Sequence, residues 1–281
     1  MISVVIPAYN AAATLDPQLA ALAPQCADID VEVIVADNGS TDATRSIAET
    51  WADRMPVRVV DASARRGASA ARNIGVGAAH GDFLAFTDAD DVVSDRWLRA
   101  YDALDDRVQL VGGPVVYFRA SEPAPRWATG VADEPPVQLG YLPYAVGTNI
   151  AMSRAAFERV GGFPEDWPPA EDVVICWRLQ LDGVPLHYAT DAIVWKRRRA
   201  TMRGTLREYY WYGRRDPELM REFDVKRAHR QPPLETTHVY LGLVARLPLL
   251  FSETQRERWS AQAGRRYGRI VGSFKTRTFC P

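Results

Sequence analysis

Residues 67–91 read GASAARNIGVGAAHGDFLAFTDADD, which predicts a helix, a buried strand and a group of acids in direct succession. Small residues dominate the predicted helix, so it can lie very close to a sheet. The apolar run Phe83–Phe86 is typical of a buried parallel strand. The acids that follow it are Asp88, Asp90 and Asp91. They lie at the carboxyl end of the strand, where open α/β sheets bind their ligands.

The spacing of these acids suggests a metal site. Asp88 and Asp90 suit a hard divalent cation such as Mg²⁺ or Mn²⁺ that also binds a diphosphate. Crowded carboxylates repel each other unless a cation or hydrogen-bond donors neutralise them. Asp-x-Asp also occurs without a function, and the second copy, Asp28-Ile29-Asp30, precedes a strand and is interpreted as a solvated turn. The position after a buried strand favours the functional interpretation for Asp88 and Asp90.

Strands and helices alternate through the first 195 residues, which indicates a mainly parallel sheet flanked by helices. The first two predicted strands lead into Tyr9 and Asp37. An aromatic ring and a carboxylate at adjacent strand ends can stack on a base and accept from its N–H groups. A packed surface ring and a turn residue are the alternative interpretation. No Gly-x-Gly-x-x-Gly follows the first strand, which argues against a dinucleotide-binding domain.

Glu171 and Asp172 open a predicted amphipathic helix. Acids in a first helical turn are favoured by the helix dipole, so a purely structural role is one interpretation. The other is a general base, because the helix terminus would stabilise the anion and keep it ionised at neutral pH.

The net charge of −1 conceals two oppositely charged regions. Residues 1–195 carry 14 basic and 27 acidic residues, whereas residues 196–281 carry 20 and 8. The basic part is expected to dock on the acidic part or to contact an anionic partner. Three cysteines without metal-ligand spacing favour a reducing, cytoplasmic location. We also expect no signal peptide and no membrane-spanning segment.

Six segments together resemble the inverting family 2 glycosyltransferases, which have the GT-A (nucleotide-diphospho-sugar transferase) fold. The segments are VVIPAYN at 4–10, DNGSTDAT at 37–44, GASAARNIG at 67–75, DFLAFTDADD at 82–91, GTNIAMSRAAFERVGGFPE at 147–165 and AEDVVICWRLQLDG at 170–183. Their order and separations are similar to the family's. The resemblance implies an α/β GT-A catalytic domain over residues 1–195, with a Rossmann-like mainly parallel sheet, and a helical basic extension over residues 196–281.

The resemblance also implies a role for each matching position. The nucleotide and the donor sugar would be held by Pro7, Ala8, Tyr9, Asn10, Asp37, Gly67, Arg72, Asp88, Ala89, Gly161 and Gly162. Asp90, together with Asp88, would bind Mg²⁺ or Mn²⁺. Asp172 would be the catalytic base, with Glu171 beside it. Trp177 and Asn149 would border the acceptor.

The implied reaction moves one sugar from a nucleotide-diphosphate sugar, with UDP as the expected nucleotide, to an acceptor hydroxyl with inversion. The acceptor, a glycan, a lipid-linked sugar or a small molecule, is left open. Family members often carry a histidine shortly after the last strand, whereas this chain has Lys196 in that region, where a cation could contact the diphosphate and lessen the dependence on metal. The processive synthases' Gln-x-x-Arg-Trp motif is absent, so we expect a single addition.

Two other classes of protein fit the sequence less well. A nucleotidyltransferase would open with a glycine-rich, basic phosphate loop, which PAYNAAAT at residues 7–14 is not. A non-catalytic nucleotide-sugar-binding module would be expected to lose Asp90 or Asp172, and both are present.

The carboxyl-terminal part contains the basic and aromatic run RGTLREYYWYGRR at residues 203–215. It is predicted to be helical, with further helices over residues 237–251 and 252–272. Such helices could dock on the catalytic domain, contact an anionic membrane surface at its inner face, or form a homodimer. Nucleic-acid binding is not expected, since no recognised reading motif accompanies the basic residues.

Overall fold

Two compact units make up the fold in the computed structural model, which describes residues 1–119, 122, 124–125, 131–225, 233–245 and 252–280. The first unit comprises Met1–Phe118, Glu122–Pro136 and Pro143–Arg197. The second comprises Arg119–Ser121, Val137–Leu142 and Arg198–Pro281. The division expected from the sequence, after residue 195, lies just before the start of the last of these segments.

Strands and helices alternate through most of the first unit. The strands of the described residues are β1 (Ile2–Ala8), β2 (Val31–Asp37), β3 (Val57–Asp61), β4 (Phe83–Phe86), β5 (Val92–Val93), β6 (Leu110–Gly112), β7 (Val115–Phe118), β8 (Val137–Gln138), β9 (Leu142–Pro143), β10 (Ile150–Ser153), β11 (His187–Tyr188) and β12 (Val194–Arg197). Of these, β8 and the first residue of β9 belong to the second unit. The helices of the first unit are α1 (Leu15–Leu22), α2 (Thr44–Glu49), α3 (Ala68–Ala78), α4 (Trp97–Asp102), α5 (Arg154–Arg159) and α6 (Glu171–Leu181), with a 3-10 turn over Ala23–Ala27.

The described residues include a seven-stranded sheet in the order β11-β6-β10-β4-β1-β2-β3. β1 lies in the middle of a parallel set and pairs with β2 on one side and β4 on the other. β10 is antiparallel to both of its neighbours, β4 and β6, which strand–helix alternation does not foresee. The sheet is therefore mainly parallel, and β4 brings its acidic carboxyl end to the centre.

A smaller sheet, in the order β5-β12-β7, places a basic segment beside this point. β12 runs antiparallel to β5 and parallel to β7, and Trp195 pairs with Val92, next to the acidic residues after β4. The residue that follows Trp195 in β12 is Lys196. Pairing between strands therefore fixes Lys196 near the acids.

Helix α3 lies close to the main sheet, which confirms the prediction from its small residues. A Cβ atom at Gly75 would be 2.5 Å from Val5 Cγ1 and 3.4 Å from Ala36 Cβ. The helix and the strands can approach this far only because Gly75 has no side chain. Arg72, on the same helix, is thereby brought against the carboxyl end of the sheet.

The helices of the second unit are α7 (Met202–Glu222), α8 (Pro233–Ala245) and α9 (Glu253–Thr276). Helices α7 and α9 pack through glycines, since a Cβ at Gly213 would overlap the carbonyl oxygen of Arg265 and one at Gly268 that of Tyr210. The helix predicted over residues 237–251 corresponds to α8, and residues 246–251 lie outside the described part. Within the described residues, no helix combines the length and the apolar character that a bilayer crossing requires.

Asp216 is fully buried at the contact of α7 with α9. Its Oδ2 atom lies 3.1 Å from Arg265 Nε and 2.6 Å from Arg269 Nε, and its Oδ1 atom accepts a hydrogen bond from Gln138 Nε2 at 2.5 Å. Burial alone would raise the pKa of Asp216, but the two guanidiniums hold it below its usual range. The membrane contact and the homodimer expected from these helices stay predictions.

Candidate active site

The carboxyl ends of β1 and β2 are paired in register, Ala8 with Asp37. Pro7 lies within β1, one residue before its carboxyl end. Tyr9 follows with 56% of its surface exposed, and the Arg66 guanidinium lies 5.1 Å from the centre of its ring. Asp37 is buried and its Oδ1 atom accepts from Ser40 N at 2.9 Å. An exposed ring thus lies next to a fixed carboxylate.

Asn10 joins the loops that leave these two strands. It has a φ of 49°, its N–H donates to Ser40 Oγ at 3.0 Å, and its Oδ1 atom accepts from Thr41 N at 2.8 Å. Because the side-chain oxygen holds the loop, Asn10 positions the turn beneath Tyr9.

Gly67 begins the approach to α3 with a φ of 118°, a conformation that favours glycine. Its N–H donates to Asn38 Oδ1 at 2.9 Å, and a Cβ placed here would meet nothing within 4 Å. Arg66 Nη1 donates to the carbonyl of Asn38 at 2.8 Å. Asn38 therefore ties the loop before α3 to the end of β2.

Three carboxylates cluster after β4. Asp88, Asp90 and Asp91 each offer an oxygen atom, and these atoms lie within 4.8 Å of one another. Asp91 is buried, accepting from Thr148 Oγ1 at 2.6 Å and from Arg197 N at 3.0 Å. Ala89 between them is buried as well. The cluster has the hard oxygen ligands that Mg²⁺ and Mn²⁺ prefer.

Two cationic side chains lie against this cluster. Lys196 Nζ is 3.6 Å from Asp88 Oδ2 and 3.4 Å from Asp91 Oδ2, while Arg72 Nη2 is 2.7 Å from Asp88 Oδ1. Burial would raise the pKa of Asp88, but Arg72 and Lys196 lower it below its usual range. Burial raises the pKa of Asp91 to about 6; Lys196 opposes this, and the neighbouring acids reinforce it.

Arg72 connects the acidic cluster to the start of α6. Its guanidinium is 3% exposed, and Nη1 lies 3.1 Å from Glu171 Oε1. The guanidinium also lies 5.2 Å from the centre of the Phe163 ring. The nucleotide contact that the resemblance implies for Arg72 stays a prediction; in the structure Arg72 is a buried link between Asp88 and Glu171.

Asp172, the second residue of α6, lies close to Arg72. Its Oδ2 atom accepts from Gly147 N at 2.9 Å and its Oδ1 atom from Val173 N at 2.8 Å. A Cβ at Gly147 would lie 3.4 Å from Arg72 Nη2 and 3.5 Å from Asp172 Cβ. The side chains of Asp172 and Arg72 thus both lie next to Gly147.

The protonation of Asp172 differs from the sequence-based expectation that the helix terminus keeps it ionised. Burial, and then the charge of Glu171, raises the pKa of Asp172 to about 7. The N–H groups of Gly147 and Val173, and Arg72, lower it by less. A carboxyl with a pKa near 7 can exchange a proton at neutral pH.

Gly161 and Gly162 form the turn after α5, with φ values of 76° and 77°. Asn73 holds the segment that follows: its Oδ1 atom accepts from Phe163 N and its Nδ2 atom donates to Phe163 O, both at 2.9 Å. A Cβ at Gly162 would lie 2.9 Å from Asn73 Oδ1. Helix α3 therefore positions the glycine turn as well as Arg72.

The two expected acceptor residues are in the protein interior. Trp177 and Asn149 are both 0% exposed. Asn149 Oδ1 accepts from Trp97 Nε1 and Tyr101 Oη at 2.8 Å, and Asn149 Nδ2 donates to the carbonyls of Pro114 and Ala192 at 2.9 and 2.7 Å. Neither side chain reaches the surface, so the structure gives no support to a contact with an acceptor, which stays a prediction.

The family model described as Glycosyl transferase family 2 matches residues 3–161, which is more than half of the chain. The chain belongs to glycosyl transferase family 2. The family expected from the six segments is thereby confirmed. The matched part contains β1 to β4, α3 and the acidic cluster.

Among curated relatives in this enzyme family, the chain is 31% identical over 224 residues to the validoxylamine A glucosyltransferase of Streptomyces hygroscopicus subsp. jinggangensis (strain 5008). The match covers 66% of this chain and 53% of that protein. The chain spans about half the length of the curated relatives it matches.

Solved structures of glycosyltransferases share the fold. The mannosyltransferase PcManGT from Pyrobaculum calidifontis, in complex with GDP-Man and Mn²⁺, matches with a TM-score of 0.68 and 21% identity, over 98% of this chain and 87% of that chain. S. aureus TarS 1–349, in complex with UDP-GlcNAc, matches with a TM-score of 0.56 and 17% identity, over 99% and 92%. The expected GT-A fold is confirmed.

Sequence reasoning missed several residues of this family 2 site. It assigned Asp88 and Asp90 to the metal but gave no role to Asp91, the most buried of the three acids. Thr148, which donates to Asp91, and Asn73, which holds the segment after the glycine turn, were also missed. Their signal was present, since Thr148 and Asn73 lie inside two of the matching segments.

Proposed function

We propose that this chain is an inverting glycosyltransferase that moves one sugar from a nucleotide-diphosphate sugar, with UDP as the nucleotide, to an acceptor hydroxyl. One observation carries the proposal: Arg72 pairs with both Asp88 and Glu171. Arg72 thus links the acids that would face the diphosphate to Glu171, the residue beside the candidate base. Membership of family 2 supports the same conclusion.

The proposed nucleotide site is at the ends of β1 and β2. The exposed Tyr9 ring would stack on the base, and Asp37 would accept from its N–H group, with the backbone of Pro7 and Ala8 beside it. Gly67, where a side chain would meet nothing, leaves open space next to the loop before α3. Gly161 and Gly162 would let the backbone approach the donor sugar. The nucleotide sugars in the PcManGT and TarS complexes support a donor of this class.

The residues after β4 fit a divalent cation, because their oxygen atoms are close together and hard. Asp90, with Asp88 and Asp91, would hold Mg²⁺ or Mn²⁺. When bound, such a cation stabilises the negative charge on the leaving nucleoside diphosphate. Lys196 lies within ion-pair distance of two of these carboxylates and would place a further positive charge near the diphosphate. The Mn²⁺ in the PcManGT complex supports this assignment.

In the proposed reaction Asp172 takes the proton of the acceptor hydroxyl. The hydroxyl oxygen forms a bond to the anomeric carbon as the bond from that carbon to the diphosphate oxygen breaks. The bonding electron pair leaves with the diphosphate. Because the attack comes from the face opposite the leaving group, the configuration at the anomeric carbon inverts. The backbone N–H groups of Gly147 and Val173 hold the Asp172 carboxyl in place.

A thermal-shift screen of UDP-, GDP- and dTDP-sugars with Mg²⁺ or Mn²⁺ tests the donor. A ligand that binds only the folded protein raises its melting temperature, so a UDP-sugar should give the largest rise. The Asp42→Asn variant, altered in the loop before α2, provides a control for nonspecific effects. If no nucleotide sugar changes the melting temperature, the proposal is wrong; a product of retained anomeric configuration would refute the inverting mechanism.

A further inference from the structure

A cavity of about 200 Å³ in the second unit is lined by residues that the proposed reaction does not use. Its charged lining consists of Arg119, Arg198, Arg199, Arg256, Glu253 and Glu257. Four guanidiniums against two carboxylates give this charged lining an excess of positive charge. Because cations gathered in a concave site repel one another, an anion that enters is stabilised by all of them.

Three of the arginines are held in ion pairs, and Arg199 Nη2 pairs with Glu208 Oε1, outside the lining, at 3.5 Å. Arg119 Nη2 lies 3.5 Å from Glu253 Oε2, and Arg198 pairs with Glu257. The two arginine side chains are 49% and 41% exposed. Ion pairs this exposed contribute little to stability. A ligand with more oxygen atoms than a carboxylate could therefore exchange with Glu253, which is 56% exposed, without disrupting the fold.

The first turn of α7 adds a second source of positive potential. Thr201, Met202 and Thr205 also line the cavity. Met202 is the first residue of this 21-residue helix, and Thr201 Oγ1 caps it by accepting from Gly204 N at 3.0 Å. The amino-terminal end of a helix carries a partial positive charge and favours anions.

The type of cation indicates the type of anion. A guanidinium presents a planar fork of N–H donors that matches two oxygens of one phosphate, whereas a lysine acts as a point charge. We propose that this cavity, the arginine pocket, binds a phosphate group, carried either by a phosphorylated soluble compound or by an anionic lipid headgroup. The pocket goes beyond the transfer reaction and does not depend on the donor site.

This assignment also accounts for the basic run Lys196–Arg199, which the proposed reaction uses only in part. Lys196 and Arg197 face the acids after β4, and Arg197 Nε donates to the carbonyl of Asp90 at 3.3 Å. Arg198 and Arg199, the next two residues, line the arginine pocket. The first two residues of this basic run thus contact the candidate active site, and the next two line the arginine pocket.

Calorimetric titration of the full chain with glycerol 3-phosphate tests the soluble source of the phosphate. Arg256→Gln should weaken binding by about tenfold, the loss expected for a hydrogen bond to a charged group. Arg258→Gln is the matched control, because this exposed residue on the same helix is not among the residues lining the pocket. Arg256→Lys, which keeps the charge and guards against a folding defect, should also bind more weakly than the wild type.

Co-sedimentation with phosphatidylglycerol vesicles, against phosphatidylcholine vesicles, tests the lipid source with the same variants. Arg256-dependent binding in either assay supports the pocket and identifies the source. If neither assay distinguishes Arg256→Gln from Arg258→Gln, the proposal is overturned. Asp172→Asn should keep phosphate binding, so failure of the transfer reaction and failure of the pocket can be told apart.

Discussion

Arg72 Nη2 lies 2.7 Å from Asp88 Oδ1, and the Arg72 side chain of this ion pair is buried. The same guanidinium holds Glu171 through its other terminal nitrogen, 3.1 Å away. A small-residue helix thereby connects the end of β4 with the start of α6. The acids of the site depend on a cation that is itself hidden from solvent.

Replacing Arg72 should therefore destabilise the protein. Arg72→Ala leaves Glu171 without this cation and Asp88 with Lys196 alone, and losing one partner of a buried pair costs about 3–5 kcal/mol. Arg72→Lys should recover only part of this, because an ammonium cannot match both carboxylates. Urea denaturation measures the change. Arg45→Ala, which breaks an exposed pair with Glu49, should alter stability by about 0.5 kcal/mol or less; an equal effect of the two alanine variants would contradict this account.

Asp172→Asn should abolish transfer while donor affinity stays near that of the wild type. In the wild type, Asp172 must be ionised to accept a proton, and its pKa is raised to about 7. As pH falls below 7, kcat/KM should therefore decrease by about tenfold per pH unit. A pH profile of kcat/KM, which reports the pKa values of the free enzyme, measures this decrease.

Glu171→Gln should shift the fall of kcat/KM at acidic pH to lower pH, because the charge of Glu171 raises the pKa of Asp172. Glu158→Gln, an exposed change on α5, should leave this fall at the same pH. Unchanged turnover in Asp172→Asn would assign the base elsewhere.

Asp90→Ala should weaken nucleotide binding in the presence of Mn²⁺ and change it little without metal. Removing one carboxylate takes a hard oxygen ligand from the cluster. Calorimetry with UDP, with and without Mn²⁺, measures both affinities. Asp30→Ala, in the exposed second Asp-x-Asp, serves as the control and should change neither. A Mn²⁺-independent loss in Asp90→Ala would argue against the metal role.

Lys196→Ala should have the opposite dependence on Mn²⁺: its loss of nucleotide affinity should be larger without the metal than with it. Without its ammonium group, metal-free UDP binding should weaken by about 1.5–3 kcal/mol, the range for hydrogen bonds to charged groups. Added Mn²⁺ should restore most of the affinity, because the carboxylates of Asp88 and Asp91 then face the metal without competition from Lys196. The same calorimetry, with Lys275→Ala in α9 as the control, tests this. Equal losses with and without Mn²⁺ would show that Lys196 does not share the diphosphate site with a metal.

Gly75→Ala and Gly77→Ala form a matched pair on α3. A Cβ at Gly75 would press on Val5, so this variant should lose about 1–3 kcal/mol of stability through overpacking. A Cβ at Gly77 would meet nothing within 4 Å, and alanine there should stabilise the helix by about 1 kcal/mol. Thermal unfolding ranks the two. If both variants gain stability, the close contact of α3 with the sheet is not needed.

Much of the fold and part of the site follow from local pattern. The run Phe83–Phe86 with its acids predicted a central strand and a carboxylate cluster, and both are present. Local pattern did not predict that β10 runs antiparallel to its neighbours, because strand direction depends on pairing between distant segments. It also did not indicate that Asn149 and Trp177 are buried, since a polar or aromatic residue beside a motif gives no sign of whether its side chain points inward.

The pKa of Asp172 could not be derived from the sequence for a similar reason. A helix start predicts a lowered value, but burial and the charge of Glu171 outweigh it. Those contributions arise only when α6 packs in the folded protein. The sequence therefore identified the residue and not the state of its proton.

The buried Asp216 limits how this chain can be shortened for expression. Its two guanidinium partners lie on α9, and its third partner, Gln138, lies in a segment flanked on both sides by residues of the first unit. A truncation that ends between α8 and α9 would remove both guanidiniums and leave the buried Asp216 carboxylate without them. Removal of everything after residue 197 would instead remove Asp216, the hydrogen-bond partner of Gln138. Dissection experiments should accordingly retain all of these segments or redesign Val137–Leu142 together with the cut.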